Sequence, residues 1–252
     1  MPRVSFHILW PGGNTTALVE GEFPLAKRKE ISAAIIKKHP DVEQVGYLHK
    51  PKDPAADIHL EMTGGEFCGN ATRCAAFFWA RKTGKNNLLV EVSGMDELVD
   101  AVVSNEDCSI LVPPEMVRGV RDLPEGTMVD LEGISHLIIE GATLPEAEIH
   151  RVLEPHKYLP AVGAIFTTFS KNAATIDPYV YFLQGSTPVL IRETACASGS
   201  IAAGVVLHRN IKADIFYDIT QPTGEKYRVK FMHDSIAIRG PVKYVGTKEL
   251  YV

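Results

Sequence analysis

The sequence lacks the features that mark membrane proteins and nucleic-acid binders. No apolar run approaches the ~20 residues that a membrane span requires. Lys and Arg are scattered singly along a chain of formal net charge −5, without the basic stripe that a nucleic-acid partner needs. We therefore expect neither a membrane nor a nucleic acid among the partners of this protein.

Cysteine is scarce, and the sequence has no cluster of metal ligands. The chain has four cysteines, Cys68, Cys74, Cys108 and Cys196. Two disulfides or a metal site are the alternatives to free thiols. A chain of this size can build a core without disulfides, and the C-x5-C spacing of the first pair has no nearby His or Cys partner, unlike zinc sites. We expect free thiols in a reducing, cytoplasmic setting and no metal. The N-terminal MPRVSFHILWPGG predicts a first strand rather than a signal peptide.

The composition and the order of predicted elements indicate a two-lobed α/β protein. The chain has 252 residues, 45% hydrophobic and 23% charged, which suits two lobes of ordinary globular composition. Apolar periodicity and turn residues predict strands alternating with helices. The predicted helices cover 24–38, 70–83, 145–153 and 198–210. The predicted strands cover 4–9, 16–20, 44–48, 58–63, 87–92, 98–103, 108–112, 128–131, 136–140, 163–169, 179–183, 215–220, 226–232 and 235–238.

Two cysteines lie in matching local sequences, one in each half. They are EFCGNAT around Cys68 and ETACASGS around Cys196, and each leads into an Ala-rich apolar stretch. This pattern predicts a thiol at the N-terminus of a buried helix, where the partial positive charge favours the thiolate. Cys74 and Cys108 fall on an Ala-rich helix and a strand, and we interpret them as core residues.

Landmark spacing supports an internal duplication. Cys68 precedes the Gly94 turn by 26 residues, and Cys196 precedes the Gly224 turn by 28. We therefore predict lobes at 1–115 and 116–252, with equivalent cysteines meeting at a cleft. Two such cysteines on opposite faces of a substrate, one a thiolate and one a thiol, can remove and return a Cα proton. The helix N–H groups beside them can hold a carboxylate.

The two cysteine segments resemble the signatures of diaminopimelate epimerases. The resemblance lies in MTGGEFCGNATRCAAFF and TACASGSIAAG, and extends to PGGNTTALV, LEGISHLIIE and RGPVKYV. It implies two lobes, each a mixed β-sheet of about eight strands wrapped around a central helix. It also implies a homodimer and racemisation without pyridoxal phosphate, metal or any other cofactor, with Cys68 and Cys196 as acid and base.

Departures from the epimerase pattern point to a different amino-acid substrate. Those epimerases have a Glu-Arg pair that grips the far end of diaminopimelate, whereas here Arg192 and Glu193 stand in reverse order beside the second motif. The segments EQVGY, IHLEMTGGEFCGNAT and GGNTTALV look most like the histidine racemases of metallophore pathways. Glu43 or Gln44 could then hydrogen-bond an imidazole N–H, although either could also be a solvated residue at a strand end.

The resemblance also implies the remaining substrate-binding residues. They are Asn14 in the first turn, Gly69, Asn70, Ala197 and Ser198 around the α-carboxylate, and His136 and Glu193 near the cysteines. A buried structural histidine is the alternative for His136. Diaminopimelate epimerisation, racemisation of another amino acid, isomerisation of an unsaturated acid and non-catalytic amino-acid binding are the other functions that this sequence allows.

Overall fold

The computed structural model describes residues 3–159, 161–184, 187–211 and 214–251. Its strands are β1 Arg3–Trp10, β2 Thr16–Glu20, β3 Gln44–His49, β4 Ile58–Met62, β5 Asn87–Val92, β6 Val99–Ser104, β7 Asp107–Val112, β8 Val117–Leu123, β9 Gly126–Leu131, β10 Ile134–Glu140, β11 Val162–Ser170, β12 Ala173–Gln184, β13 Thr187–Arg192, β14 Tyr217–Thr220, β15 Lys226–Phe231, β16 Ile236–Pro241 and β17 Lys243–Tyr251. The α-helices are α1 Leu25–Lys38, α2 Gly69–Thr83, α3 Glu146–Leu153 and α4 Ala197–Ile211, and two short 3-10 turns cover Pro114–Met116 and Glu154–His156.

The chain divides into two compact units. The first contains Met1–Leu111 and Arg239–Val252, and the second contains Val112–Ile238. The predicted lobes 1–115 and 116–252 differ from this division at the C-terminus. The reason is strand pairing: β17 runs antiparallel to β1 over its whole length, from Tyr251 opposite Arg3 to Lys243 opposite Trp10. The end of the chain therefore packs with its beginning.

The first unit is a mixed sheet packed around α2. Its strand order is β17-β1-β2-β3-β4-β5-β6-β7, with parallel pairs at β2–β3 and β4–β5 and antiparallel pairs elsewhere. Helix α2 contacts β2 through β6. Its small buried residues, including Ala71, Ala75 and Ala76, let the sheet approach closely on several sides. Gly84 ends the helix in the left-handed conformation, at φ 79°.

The second unit repeats this plan around α4. Strands β8 to β12 pair in sequence, with β10–β11 parallel. The long β12 pairs with β13 at one end and in parallel with β14 at the other, and β14 pairs with β15. Helix α4 contacts β9, β10, β11, β12, β14 and β15. The predicted mixed α/β class, with a sheet around a central helix in each half, is confirmed.

The two amphipathic helices cover other apolar faces of their units. Helix α1 buries Ile31 and Ile35 in a cluster with Phe6, Val19 and Tyr47. Helix α3 contributes Ile149 and Leu153 to a cluster that includes residues of β10, β11 and β12. Among the helices in the described parts of the chain, none has the length and apolar character needed to cross a bilayer.

Candidate active site

Cys68 is the N-cap residue of α2. Its backbone is extended, with φ −134° and ψ 107°, and the Ala71 N–H donates to its sulfur at 3.5 Å. Its carbonyl accepts hydrogen bonds from the N–H and the hydroxyl of Thr72, at 2.9 and 2.8 Å. The side chain of Cys68 is partly exposed. The predicted thiol at a helix N-terminus is therefore present.

Gln44 connects the Cys68 thiol to the first turn of the chain. The thiol donates to Gln44 Oε1 at 3.1 Å, and Gln44 Nε2 donates to Thr16 Oγ1 at 2.7 Å. Thr16 donates in turn to the Asn14 carbonyl at 3.1 Å. Both ends of the Gln44 amide are therefore engaged, and the amide orients the thiol and ties it to the strand pair β2–β3.

The first turn has an unusual backbone that suits its sequence. Gly12, Gly13 and Asn14 all have positive φ, at 93°, 122° and 55°. Glycine tolerates this region without strain, and asparagine tolerates it better than other residues with a side chain. Glu43 accepts the Thr15 N–H at 3.1 Å and secures the end of the turn. Asn14 is 6% exposed, so the turn buries it beside the Gln44 network.

A fully buried arginine orients Asn70. Arg73 donates to Asn70 Oδ1 at 2.8 Å, to the Pro11 carbonyl at 3.1 Å and to the Pro241 carbonyl at 3.3 Å. Because Oδ1 is used as an acceptor, the donor end of the Asn70 amide points the other way. Arg73 was not predicted as a site residue. Its position in the GNATR motif was the signal that could have identified it.

The loop that leads into Cys68 is held by the turn after β5. The Ser93 hydroxyl donates to the Glu66 carbonyl at 2.9 Å and accepts the Met62 N–H at 2.9 Å. Gly94 has φ 77°, and a Cβ there would lie 2.4 Å from the Phe67 nitrogen. Glycine is therefore required at this contact. The contact positions the loop that precedes Cys68 in the sequence.

Cys196 immediately precedes α4 and is 4% exposed. The Gly199 N–H donates to its sulfur at 3.2 Å, and the Ser198 hydroxyl lies 3.4 Å from the sulfur. A Cβ on Gly199 would lie 3.1 Å from this sulfur and 2.9 Å from Ile165 Cδ1. The glycine in the second motif thus allows the first turn of α4 to close tightly around the thiol. Ala197 is the first residue of the helix.

The Ser198 hydroxyl links His136 to the Cys196 thiol. The Nε2 of His136 lies 2.8 Å from Ser198 Oγ. The ring is completely buried, which lowers its pKa to about 3, so it is neutral. Nδ1 is buried without a hydrogen-bond partner, against Gly163. An orphaned N–H is rarer than an orphaned acceptor, which favours the proton on Nε2. Ser198 can then accept from His136 and donate to Cys196.

Glu193 opposes ionisation of the Cys196 thiol. Burial, the charge of Glu193 and a hydrogen bond with Glu193 raise the pKa of Cys196 well above its ordinary value. The hydrogen bonds from Ser198 and Gly199 lower it by less. The sequence predicts an easily ionised thiol at this helix N-terminus. The pKa of Cys196 shifts in the opposite direction, because desolvation and a nearby carboxylate outweigh the helix end.

Comparisons with known proteins identify the family of this chain. The family model described as "Histidine racemase CntK N-terminal domain" matches residues 3–251. The chain belongs to this histidine racemase family. It is 28% identical over 265 residues to a histidine racemase of Fusobacterium nucleatum subsp. nucleatum, covering 96% of this chain and 95% of the relative. It is 27% identical to a histidine racemase of Staphylococcus aureus, with 96% and 95% covered.

Solved structures share the fold at lower sequence identity. A hydroxyproline epimerase from Agrobacterium vitis, with bound trans-4-hydroxy-L-proline, aligns with a TM-score of 0.67 and 13% identity, over 98% of this chain and 92% of that one. The family membership makes this protein an isomerase of the racemase class, as the sequence predicts.

In this racemase the predicted site residues form two groups, each within one unit. Residues Asn14, Glu43, Gln44, Cys68, Gly69 and Asn70 belong to the first unit, and residues His136, Glu193, Cys196, Ala197 and Ser198 belong to the second. In each group a cysteine lies beside a helix N-terminus. Polar groups contact its sulfur directly or are linked to it through another residue.

The other two cysteines are core residues of this racemase. Cys74 and Cys108 are both 0% exposed. Burial raises the pKa of Cys74 far above its usual range and that of Cys108 to about 12. Both thiols are therefore protonated and enclosed. The described residues contain no group of three or more His, Cys, Asp or Glu side chains arranged to hold a metal ion.

Proposed function

We propose that this protein interconverts L- and D-histidine, using Cys68 and Cys196 as the two proton-transfer groups. The match of residues 3–251 to the histidine racemase family carries the proposal. The relatives from Fusobacterium nucleatum and Staphylococcus aureus, which cover nearly the whole chain, support histidine as the substrate.

In the proposed reaction one cysteine takes a proton from Cα and the other returns a proton to it. The Cys68 thiol first loses its proton to solvent. The resulting thiolate removes the Cα proton of one enantiomer, and the C–H electron pair remains as a carbanion conjugated with the carboxylate. The Cys196 thiol then gives its proton to the opposite face of Cα, which produces the other enantiomer and a Cys196 thiolate. The raised pKa of Cys196 supports this assignment, because a buried thiol beside Glu193 starts the cycle protonated.

The two helix N-termini are proposed to stabilise the carboxylate. The first N–H groups of any α-helix have no acceptor within the helix and attract anions. Gly69 and Asn70 begin α2, and Ala197 and Ser198 begin α4. Negative charge that develops on the substrate carboxylate during deprotonation would be stabilised by these donors. Asn14 and the donor end of the Asn70 amide are proposed to add side-chain hydrogen bonds.

The side chain of Arg192 supports a substrate other than diaminopimelate. Its Nε donates to Asp177 Oδ1 at 2.7 Å, and the side chain is 59% exposed. We propose that this ion pair competes with any contact of Arg192 with a distant zwitterion. Gln44 is held by Cys68 and Thr16, so we propose that it positions the thiol, and we retain Glu43 as the candidate for the imidazole N–H.

Racemisation in deuterated water tests the function. The wild-type protein is incubated with L-histidine, with LL-diaminopimelate and with a panel of other L-amino acids, followed by chiral analysis and mass measurement. We expect D-histidine carrying deuterium at Cα. Histidine that stays unchanged while meso-diaminopimelate forms would overturn the substrate assignment. Tight histidine binding without deuterium uptake would indicate a binding protein.

Alanine variants of the cysteines test the mechanism. We expect Cys68→Ala and Cys196→Ala each to lower kcat by at least about 1000-fold, because each removes an essential acid or base. Cys108→Ala, which removes a buried thiol elsewhere in the core, is the matched control and should keep its activity. Rapid racemisation by either of the first two variants would contradict the two-cysteine mechanism.

We also propose a cytoplasmic homodimer, on the resemblance to diaminopimelate epimerases and the free thiols. Light scattering coupled to size-exclusion chromatography measures the mass in solution. A mass of about twice 27.6 kDa is expected, and a monomer at the concentration used for catalysis would contradict the dimer.

A further inference from the structure

Gln221 is a buried polar residue that the sequence does not single out. It follows β14 directly, is 1% exposed and lies in the turn that leads to β15. Its own backbone is secured, because its N–H donates to the Glu225 carbonyl at 2.8 Å and its carbonyl accepts from Gly224 at 2.9 Å. A buried amide side chain must find several partners to offset its desolvation.

The Gln221 side chain finds these partners at Cys196 and α4. Its Oε1 accepts the Cys196 N–H at 3.0 Å. Its Nε2 donates to Ser200 Oγ at 2.9 Å and to the Ile219 carbonyl at 3.1 Å. Ser200 Oγ donates in turn to the Cys196 carbonyl at 2.6 Å. The Gln221 amide, the Ser200 hydroxyl, and the N–H and carbonyl of Cys196 form a closed ring of hydrogen bonds.

We propose that Gln221 is the positioning residue for the Cys196 thiol, an inference that rests on the proposed role of Cys196 in proton transfer. The ring holds the N–H and the carbonyl of Cys196 at once. With both groups held, the direction of the Cα–Cβ bond is set, and the sulfur stays beside Gly199 N–H and Ser198 Oγ. Gln221 does not contact the sulfur, and so it acts on geometry rather than on the reacting atoms.

The ring needs an amide and not merely a side chain of this size. Glutamine supplies one acceptor for Cys196 and two donors, for Ser200 and for the Ile219 carbonyl. Glutamate has the same shape but only acceptors, so its second oxygen would face the Ile219 carbonyl. It would also add a negative charge close to Cys196. Methionine has a similar volume and offers neither a donor nor a strong acceptor.

Kinetic constants of Gln221 variants test the proposal. We expect Gln221→Met to lower kcat for histidine racemisation by about 100-fold, the cost of misplacing a reacting group by about 1 Å. KM should stay within about threefold, because the Gln221 amide is bonded to protein groups and acts through the Cys196 backbone. Gln221→Glu should lower kcat and also move the alkaline limb of the pH–rate profile to higher pH. Lys226→Gln, an exposed change in the same hairpin, is the control and should behave as wild type.

Hydrogen exchange gives a readout that does not depend on activity. The Cys196 amide should lose protection in Gln221→Met and keep most of it in Gln221→Glu, where an acceptor remains. Ser200→Ala breaks the ring from its other side, and the double variant Gln221→Met/Ser200→Ala should lose little more activity than Gln221→Met alone. If Gln221→Met does not fold, Gln221→Glu and Ser200→Ala provide the same comparisons.

The outcomes separate this inference from the proposed function. A folded Gln221→Met variant with wild-type kcat, or with a protected Cys196 amide, overturns the positioning role. A parallel rise in KM with unchanged kcat also overturns it. If the wild-type protein fails to racemise histidine, the proposed function fails, while the exchange measurement still decides whether Gln221 holds the Cys196 backbone.

Discussion

At the scale of single residues, the state of Cys196 is decided by competing neighbours. The helix N-terminus, Ser198 and Gly199 favour the thiolate, whereas burial and Glu193 favour the thiol, and the second group prevails. Each of these neighbouring groups therefore has a predictable effect on the pKa of Cys196. Removing Glu193 should make the thiol easier to ionise, and removing the Ser198 hydroxyl should make it harder.

We expect Glu193→Gln to move the alkaline limb of the kcat profile to lower pH, because the carboxylate that raises the pKa of Cys196 is gone. Ser198→Ala should move the same limb to higher pH and destabilise the fold by about 1–3 kcal/mol, since His136 Nε2 loses its buried partner. Profiles of kcat against pH, with urea unfolding, measure both effects. Glu148→Gln on the exposed face of α3 is the control. Shifts in the same direction for both variants would contradict this account of the thiol.

At the scale of elements, the strands bring together residues that are distant in sequence. The parallel pair β10–β11 places Gly163 opposite His136. A Cβ at Gly163 would lie 2.4 Å from His136 Nδ1 and 2.9 Å from the Tyr179 carbonyl, so the strand needs glycine there. Because Gly163 has no Cβ, the His136 ring fits against β11 in the orientation that brings its Nε2 to Ser198.

Gly163→Ala should therefore destabilise the protein by about 1–3 kcal/mol, the usual cost of overpacking a core. It should also lower kcat, because the His136 ring must move away from Ser198. Thermal or urea unfolding and kcat are measured together. Thr168→Ala, on the exposed side of the same strand, is the control. An unchanged melting temperature and kcat in Gly163→Ala would show that the ring does not need this space.

The strands that the sequence patterns identified differ from those that they missed in how regularly buried and exposed positions alternate. Strand β6 has a strict buried–exposed alternation and was predicted within one residue at each end. Strand β8, with sequence VRGVRDL, was missed because it has no fully buried position. Strand β13 was missed because it has a proline and no clear alternation in TPVLIR. Both strands pair with a neighbour in sequence, β8 with β9 and β13 with β12.

At the scale of the whole molecule, buried neutral histidines link stability to pH. The pKa of His136 is 6.5 in an exposed chain and about 3 in the folded protein. Between these values the unfolded chain binds a proton that the native protein does not, so the free energy of unfolding falls as the pH falls. The full contribution is present above about pH 6.5. Burial also lowers the pKa of His7 and His59, which act in the same direction.

We expect the free energy of unfolding to fall as the pH falls from about 6.5 to 5, above the range where carboxylates titrate, with a slope from His136 alone that approaches about 1.4 kcal/mol per pH unit. Urea unfolding at several pH values measures this slope. His136→Gln should reduce the slope by one proton. A wild-type protein that is equally stable at both ends of this range would contradict the buried neutral state of His136.

The sequence alone was enough to determine the mixed α/β class, the central helices and the two cysteines at their N-termini. These features follow from local signals: apolar periodicity, turn residues and motifs whose small residues must stand next to the thiol. The tertiary structure decided the rest. It brought Gln221 to the backbone of Cys196, Gln44 to the thiol of Cys68 and β17 to β1, and through burial and Glu193 it raised the pKa of Cys196. Desolvation and contacts between distant segments arise only when the chain is packed, and so no local pattern could reveal them.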